Sequence, residues 1–182
     1  MADVSKAMAD PSQAVPDAPS GGRLPALDAT LWLELATLYH AYGSVLDARD
    51  YARWPEFFTD ECVYRLQPRE NFDRGLPLAT MAFESKGMLK DRVYGITETL
   101  AHDPYYQRHV IGIPIVRRVH GDTIDAEANY AVFRTRQNEL SEVFNVGRYV
   151  DVIRKTADGL RFASRICVFD SEMIPTSIIY PI

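Results

Sequence analysis

The chain has four histidines and two cysteines, and these carry most of the metal and acid–base chemistry open to it. His102, Asp103 and His109 are the residue types of a two-histidine, one-carboxylate iron site. Their spacing puts them in a loop and at a strand start, not on one helix face, so structural hydrogen bonding is the expected role. Cys62 and Cys167 stand far apart, and neither has a second cysteine or a histidine nearby. An iron–sulfur or zinc site needs clustered thiolates or imidazoles, so no local metal motif exists. Two such cysteines make no secreted disulfide framework and read as buried free thiols in a reducing compartment. A different constellation is Tyr42, Asp47 and His109: an Asp–His pair with a tyrosine can perform general acid–base work. The same residues also have a structural reading, with Tyr42 in the core, Asp47 at a helix end and His109 bonded to backbone. A residue list without geometry is not yet a site. G-x-S-x-G, G-x-G-x-x-G and P-loop signatures are absent from the sequence.

The elements that must position these residues can be read from periodicity. Asp28 is a plausible N-cap for a helix whose apolar stripe runs through Leu31, Leu35, Leu38, Tyr42 and Val45. Trp32, Ala36, Tyr39, Gly43 and Leu46 widen the stripe, as in a helix buried against a sheet. Asp47-Ala48-Arg49-Asp50 breaks it. A short helical piece carries Trp54, Phe57 and Phe58, and Cys62 to Leu66 reads as a strand. Pro68 to Pro77 reads as a loop, and Phe83 to Leu100 as another helix despite Gly87 and Gly95. From Tyr105 the period changes. Val110 to Val119 is β-branched, and Ile124, Ala126, Ala128, Tyr130 and Val132 alternate with polar residues, as in a half-buried strand. Phe144, Val146, Val150 and Val152 mark a further strand. Asp158-Gly159 signals a hairpin into Leu160, Phe162, Ile166 and Val168. Helices first and long antiparallel strands afterwards make an α+β domain, expected over residues 28–182.

Residues 1–27 differ. Four of the eleven prolines lie before residue 26, in a stretch without aromatics, which predicts a mobile tail. A hydrophobic content of 47% and a length of 182 residues give the remainder enough apolar surface for one core. A net charge of −5 argues against nucleic acid as a partner. No apolar run reaches the ~18 residues needed to span a bilayer, and there is no signal-peptide apolar region, so the cytoplasm is the expected location. Arg69, Glu70, Asn71, Asp91, Arg92, Arg108 and Arg148 lie in or beside apolar segments. With Tyr105 and Tyr106 they are candidates for subunit contacts, where arginines and aromatics are favoured.

The order of motifs resembles a known family. Asp47-x-x-Asp50-x-x-x-Trp54-x-x-Phe57-Phe58-Thr59-Asp60-x-Cys62-x-Tyr64 is similar to the opening of the β (small) subunits of aromatic-ring-hydroxylating (Rieske-type) oxygenases. Arg69-Glu70-Asn71 followed by Gly75 resembles their next loop. Glu84-Ser85-x-x-Met88-Leu89-x-Asp91-Arg92-Val93 and Tyr105-x-x-Arg108-His109 follow in family order. The resemblance implies a nuclear-transport-factor-like (cystatin-like) cone, with helices packed on a long curved, mainly antiparallel sheet. It implies a structural subunit that self-associates as a trimer and joins a large α subunit as α3β3. The α subunit would carry the Rieske 2Fe–2S cluster and mononuclear iron, leaving none in this chain. The loop style is similar to subunits of hydroxylases acting on aromatic carboxylates such as salicylate or terephthalate. The alternative is a self-sufficient cone-fold dehydratase or isomerase using Tyr42, Asp47 and His109.

Overall fold

The computed structural model describes residues 25–173 and 177–182. The tail expected over residues 1–27 therefore lies outside the described residues except for its last three. Helix α1 (Ala29–Asp47) starts where the spacing predicts, and the Asp28 side chain accepts from the Leu31 N–H at 2.9 Å. Leu31, Leu35, Leu38, Tyr39, Tyr42 and Leu46 are buried. Trp32, expected to widen that stripe, lies in the first turn and is 43% exposed. A 3-10 turn (Tyr51–Phe57) leads into β1 (Phe58–Pro68). The expected loop from Pro68 instead opens with a short helix, α2 (Arg69–Asp73), flanked by the ion pairs Arg74–Glu70 and Arg69–Asp73. Phe83 belongs not to a helix but to β2 (Met81–Phe83), beside Tyr64. Helix α3 (Lys86–Tyr94) starts only at its Ser85 cap and continues as a π turn, Gly95–Thr99.

The β-branched stretch after Tyr105 forms two strands, β3 (Tyr105–Ile111) and β4 (Ile115–His120), along one edge of β5 (Thr123–Arg136). Strands β6 (Glu142–Thr156) and β7 (Gly159–Phe169) complete a seven-stranded sheet in the order β2-β1-β7-β6-β5-β3. Only the β1–β7 pairing is parallel. Helix α1 packs against β3 and β7. Strand β5 buries Ile124, Ala126, Ala128, Tyr130 and Val132, as its alternation predicts.

Strands β6 and β7 depart from the expected facing. Irregular pairing at Val132/Phe133 and Val152/Ile153 shifts the phase of the pleat, as a bulge does. Asn145, Gly147, Tyr149, Asp151 and Ile153 consequently face inward, and Val146 is 40% exposed. Gly147 has to be glycine, because a Cβ there would lie 2.0 Å from the Val168 carbonyl.

Candidate functional site

The end of α1 and the strand β3 bring Asp47 and His109 together. Gly43 permits their approach: a Cβ on it would sit 3.0 Å from Ile111 Cδ1 and 3.3 Å from His109 Cβ. His109 Nδ1 lies 2.6 Å from Asp47 Oδ1, so the imidazole donates to the carboxylate. The His109 backbone N–H also donates to both Asp47 oxygens, at 3.0 and 3.2 Å, and Arg108 reaches Oδ2 at 3.4 Å. A carboxylate that orients an imidazole leaves the other ring nitrogen free to act as a base. Here, however, the His109 side chain has no exposed surface, and its Nε2 is buried without a partner among the described residues. The pair clasps α1 to β3.

Tyr42, the third member of the alternative acid–base constellation, is engaged elsewhere. Its hydroxyl donates to the Ile182 carbonyl at 2.8 Å and accepts from Trp54 Nε1 at 3.2 Å. The Ile182 carbonyl also accepts from Tyr64 (3.2 Å) and from the Cys167 thiol (3.3 Å), while the Ile182 N–H donates back to the Tyr64 hydroxyl at 3.0 Å. Ile178, Tyr180 and Ile182 are all buried, so the segment holding them occupies the interior beside Tyr42, Tyr64 and Cys167. Arg92 fastens the segment from outside by donating to the Ile178 and Ile179 carbonyls, and His102 Nε2 lies 2.7 Å from the Tyr180 hydroxyl. Burial pushes the Tyr42 and Tyr64 hydroxyls up, so they stay protonated donors.

Beneath this segment lies a buried ion pair that the sequence analysis did not anticipate. Arg165 donates from Nε and Nη2 to the two Asp151 oxygens at 2.9 and 2.7 Å, and Tyr39 donates to the same carboxylate at 2.5 Å. The guanidinium stacks 3.7 Å from the Phe162 ring centre and 4.1 Å from that of Tyr149. Burial pushes the Asp151 carboxyl up and Arg165 opposes it. The fork of donors on both oxygens is that of an ionised carboxylate. Burial likewise pushes the Cys62 thiol up to about 11 and that of Cys167 to about 12, and both cysteines are free.

His102 and His109, two of the residue types of an iron triad, are engaged in separate hydrogen bonds. His102 bonds to the Leu100 carbonyl and Tyr180, and His109 bonds to Asp47. No group of three or more His, Cys, Asp or Glu among the described residues could hold a metal ion. Among the contact candidates, Arg69, Glu70 and Asn71 lie on or near the surface at α2, Asn71 donating to the Leu78 carbonyl. Asp91 is exposed on α3, whereas Arg92 is half-buried and holds the C-terminal segment. The pleat of β3 turns Tyr105 into the core, which leaves Tyr106 and Arg108 on the outer face. Arg148 shares that face, with its guanidinium 3.7 Å from Asp73 and stacked on Phe72.

Residues 42–176 match the family model described as ring hydroxylating beta subunit. The chain belongs to that β-subunit family. It is 36% identical over 156 residues to the anthranilate 1,2-dioxygenase small subunit of Burkholderia cepacia, covering 85% of this chain and 96% of the relative. It is 29% identical to a terephthalate 1,2-dioxygenase β subunit of Comamonas, covering 82% and 97%. A crystal structure from Novosphingobium aromaticivorans is described as the β subunit of an aromatic-ring-hydroxylating dioxygenase. It shares 36% identity, with a TM-score of 0.76 over 83% of this chain and 95% of that one. This β subunit therefore has the nuclear-transport-factor-like cone, and it is the small subunit of an aromatic-ring-hydroxylating dioxygenase.

Proposed function

We propose that this β subunit is non-catalytic and supports a large α subunit that carries the Rieske 2Fe–2S cluster and the mononuclear iron. The oxygenase acts on an aromatic carboxylate in the cytoplasm, and a β trimer joins three α subunits as α3β3. The observation that carries the non-catalytic role is the filled cone: Ile182 accepts from Tyr42 and Tyr64 where a cone-fold enzyme would need open space. The names of the anthranilate and terephthalate relatives support the substrate class, since both compounds are aromatic carboxylates.

Self-association is supported by the outer face of the sheet. Val110, Ala131 and Val146 sit side by side across β3, β5 and β6, and Arg108, Phe133 and Val143 form the next row. Val110 and Val143 are 56% and 59% exposed. A contiguous apolar row of this kind is what a subunit contact covers.

The rival reading, a self-sufficient acid–base enzyme, is favoured by the formed Asp47–His109 pair. Turnover assays separate the two. The reading proposed here expects ring hydroxylation only when the α subunit and its electron supply are present. Dehydration or isomerisation of a small substrate by the purified chain alone would replace it with the rival.

A further inference from the structure

The inner face of β3 carries polar groups that nothing else in the fold matches. Tyr105, Gln107 and His109 occupy successive inward positions of the strand. Gln107 is 2% exposed, yet neither its amide oxygen nor its amide nitrogen has a hydrogen-bond partner among the described residues. Two positions on, the His109 side chain is fully enclosed and its Nε2 is likewise unmatched. On the other side of Gln107, the Tyr105 hydroxyl is buried and unmatched too. A buried polar atom in this state carries its full desolvation cost. Native interiors rarely hold several such atoms side by side.

The neighbouring side chains are committed elsewhere. Val132, opposite His109, is apolar, and Arg134, opposite Gln107, pairs with Glu142 and lies over the rings of Tyr105 and Phe144. Asn145, next across from Val132, accepts from the Tyr130 hydroxyl at 2.7 Å. On the helix side Asp47 holds His109 Nδ1, and Gly43 packs against the base of the ring.

The spacing of Gln107 and His109 suits a single bridging molecule. Side chains at i and i+2 of a strand leave the same face about 6.7 Å apart. Two groups joined through one water stand about 5.5 Å apart, twice an ordinary hydrogen-bond length. The chemistry matches as well. With Nδ1 donating to Asp47, the neutral ring presents Nε2 as an acceptor, and the Gln107 amide offers both a donor and an acceptor. Water can donate to the ring and still meet either end of the amide.

We infer that β3 and the end of α1 enclose a structural water site, in which an ordered water bridges His109 Nε2 to the Gln107 amide. The water is the third member of the clasp between α1 and β3. It satisfies the ring nitrogen that Asp47 does not reach, and so favours the tautomer that donates to the carboxylate. Gln107 thereby acts on the Asp47–His109 pair through the water.

High-resolution crystallography of the full chain tests the inference. The expected result is a water peak within about 3.2 Å of both His109 Nε2 and a Gln107 amide atom. Gln107→Met keeps the length of the side chain and removes its polar atoms. It should abolish the peak and leave the His109–Asp47 bond in place. It should also lower the melting temperature by about 3 °C or more, because Nε2 then loses its partner. A dry interior gives the opposite sign, since replacing an unmatched amide with an apolar side chain of similar shape raises the melting temperature. The inference is overturned if the wild-type structure has no water within reach of both groups, or if the Gln107 amide bonds directly to protein atoms. A Gln107→Met chain that melts at or above the wild-type temperature overturns it as well.

Discussion

Replacing His109 with alanine should damage the structure rather than the chemistry. The imidazole is fully enclosed and donates to Asp47 at 2.6 Å. Losing a hydrogen bond to a charged group costs about 1.5–3 kcal/mol. The ring leaves a void of roughly 60 Å³, which at ~24 cal/mol per Å³ adds about 1.5 kcal/mol. Asp47 keeps the His109 backbone N–H and Arg108, so it is not stranded, and the total should fall near 3–4 kcal/mol. For a domain of this size each kcal/mol lowers the melting temperature by ~2–4 °C, so a fall of about 10 °C is expected. Circular dichroism melts of the purified chain measure it, and turnover of the complex reconstituted at low temperature measures the chemistry. The expected result is a destabilised variant whose assembled complex retains most of its turnover. A variant that melts like the wild type, assembles, keeps its iron and yet loses all turnover would show that His109 is a catalytic residue and that the clasp argument is wrong.

Three further perturbations probe the core beneath the clasp. Asp151→Asn strands a fully buried Arg165 and should cost about 3–5 kcal/mol by chemical denaturation, while adding Arg165→Met should recover part of it. A loss below about 1 kcal/mol would deny the pair its structural role. Tyr64→Phe removes the hydroxyl that serves both the N–H and the carbonyl of Ile182, and should cost about 1–3 kcal/mol. Native Cys62 and Cys167 should resist a thiol reagent until the chain is unfolded. With both thiols raised above their ordinary 9.0, the unfolded chain ionises first, so stability is full below that pH and declines as pH climbs toward about 11–12. Rapid labelling of the folded chain near neutrality would contradict their burial.

The helix cap at Asp28, the inward row of β5 and the family motifs were legible in the sequence, because each depends on local spacing. The pairing of Asp47 with His109 was legible only as residue types, since 62 positions separate them. What escaped was set by phase and by distant closure. The valines of β6 follow a regular alternation, but the shifted pairings turn Gly147, Tyr149 and Asp151 inward in their place. No local spacing links Asp151 to Arg165, which the opposed strands bring to 2.7 Å. The return of Tyr180 and Ile182 into the cone leaves no periodic trace, because the segment forms neither helix nor strand.

Light scattering coupled to size exclusion, on the chain alone and co-expressed with the large Rieske-bearing subunit, tests the central claim most directly. The account predicts a trimer of about 62 kDa from the 20.6 kDa chain alone, and a hexamer of three large and three small subunits on co-expression. A stable monomer that stays monomeric beside the large subunit would contradict it.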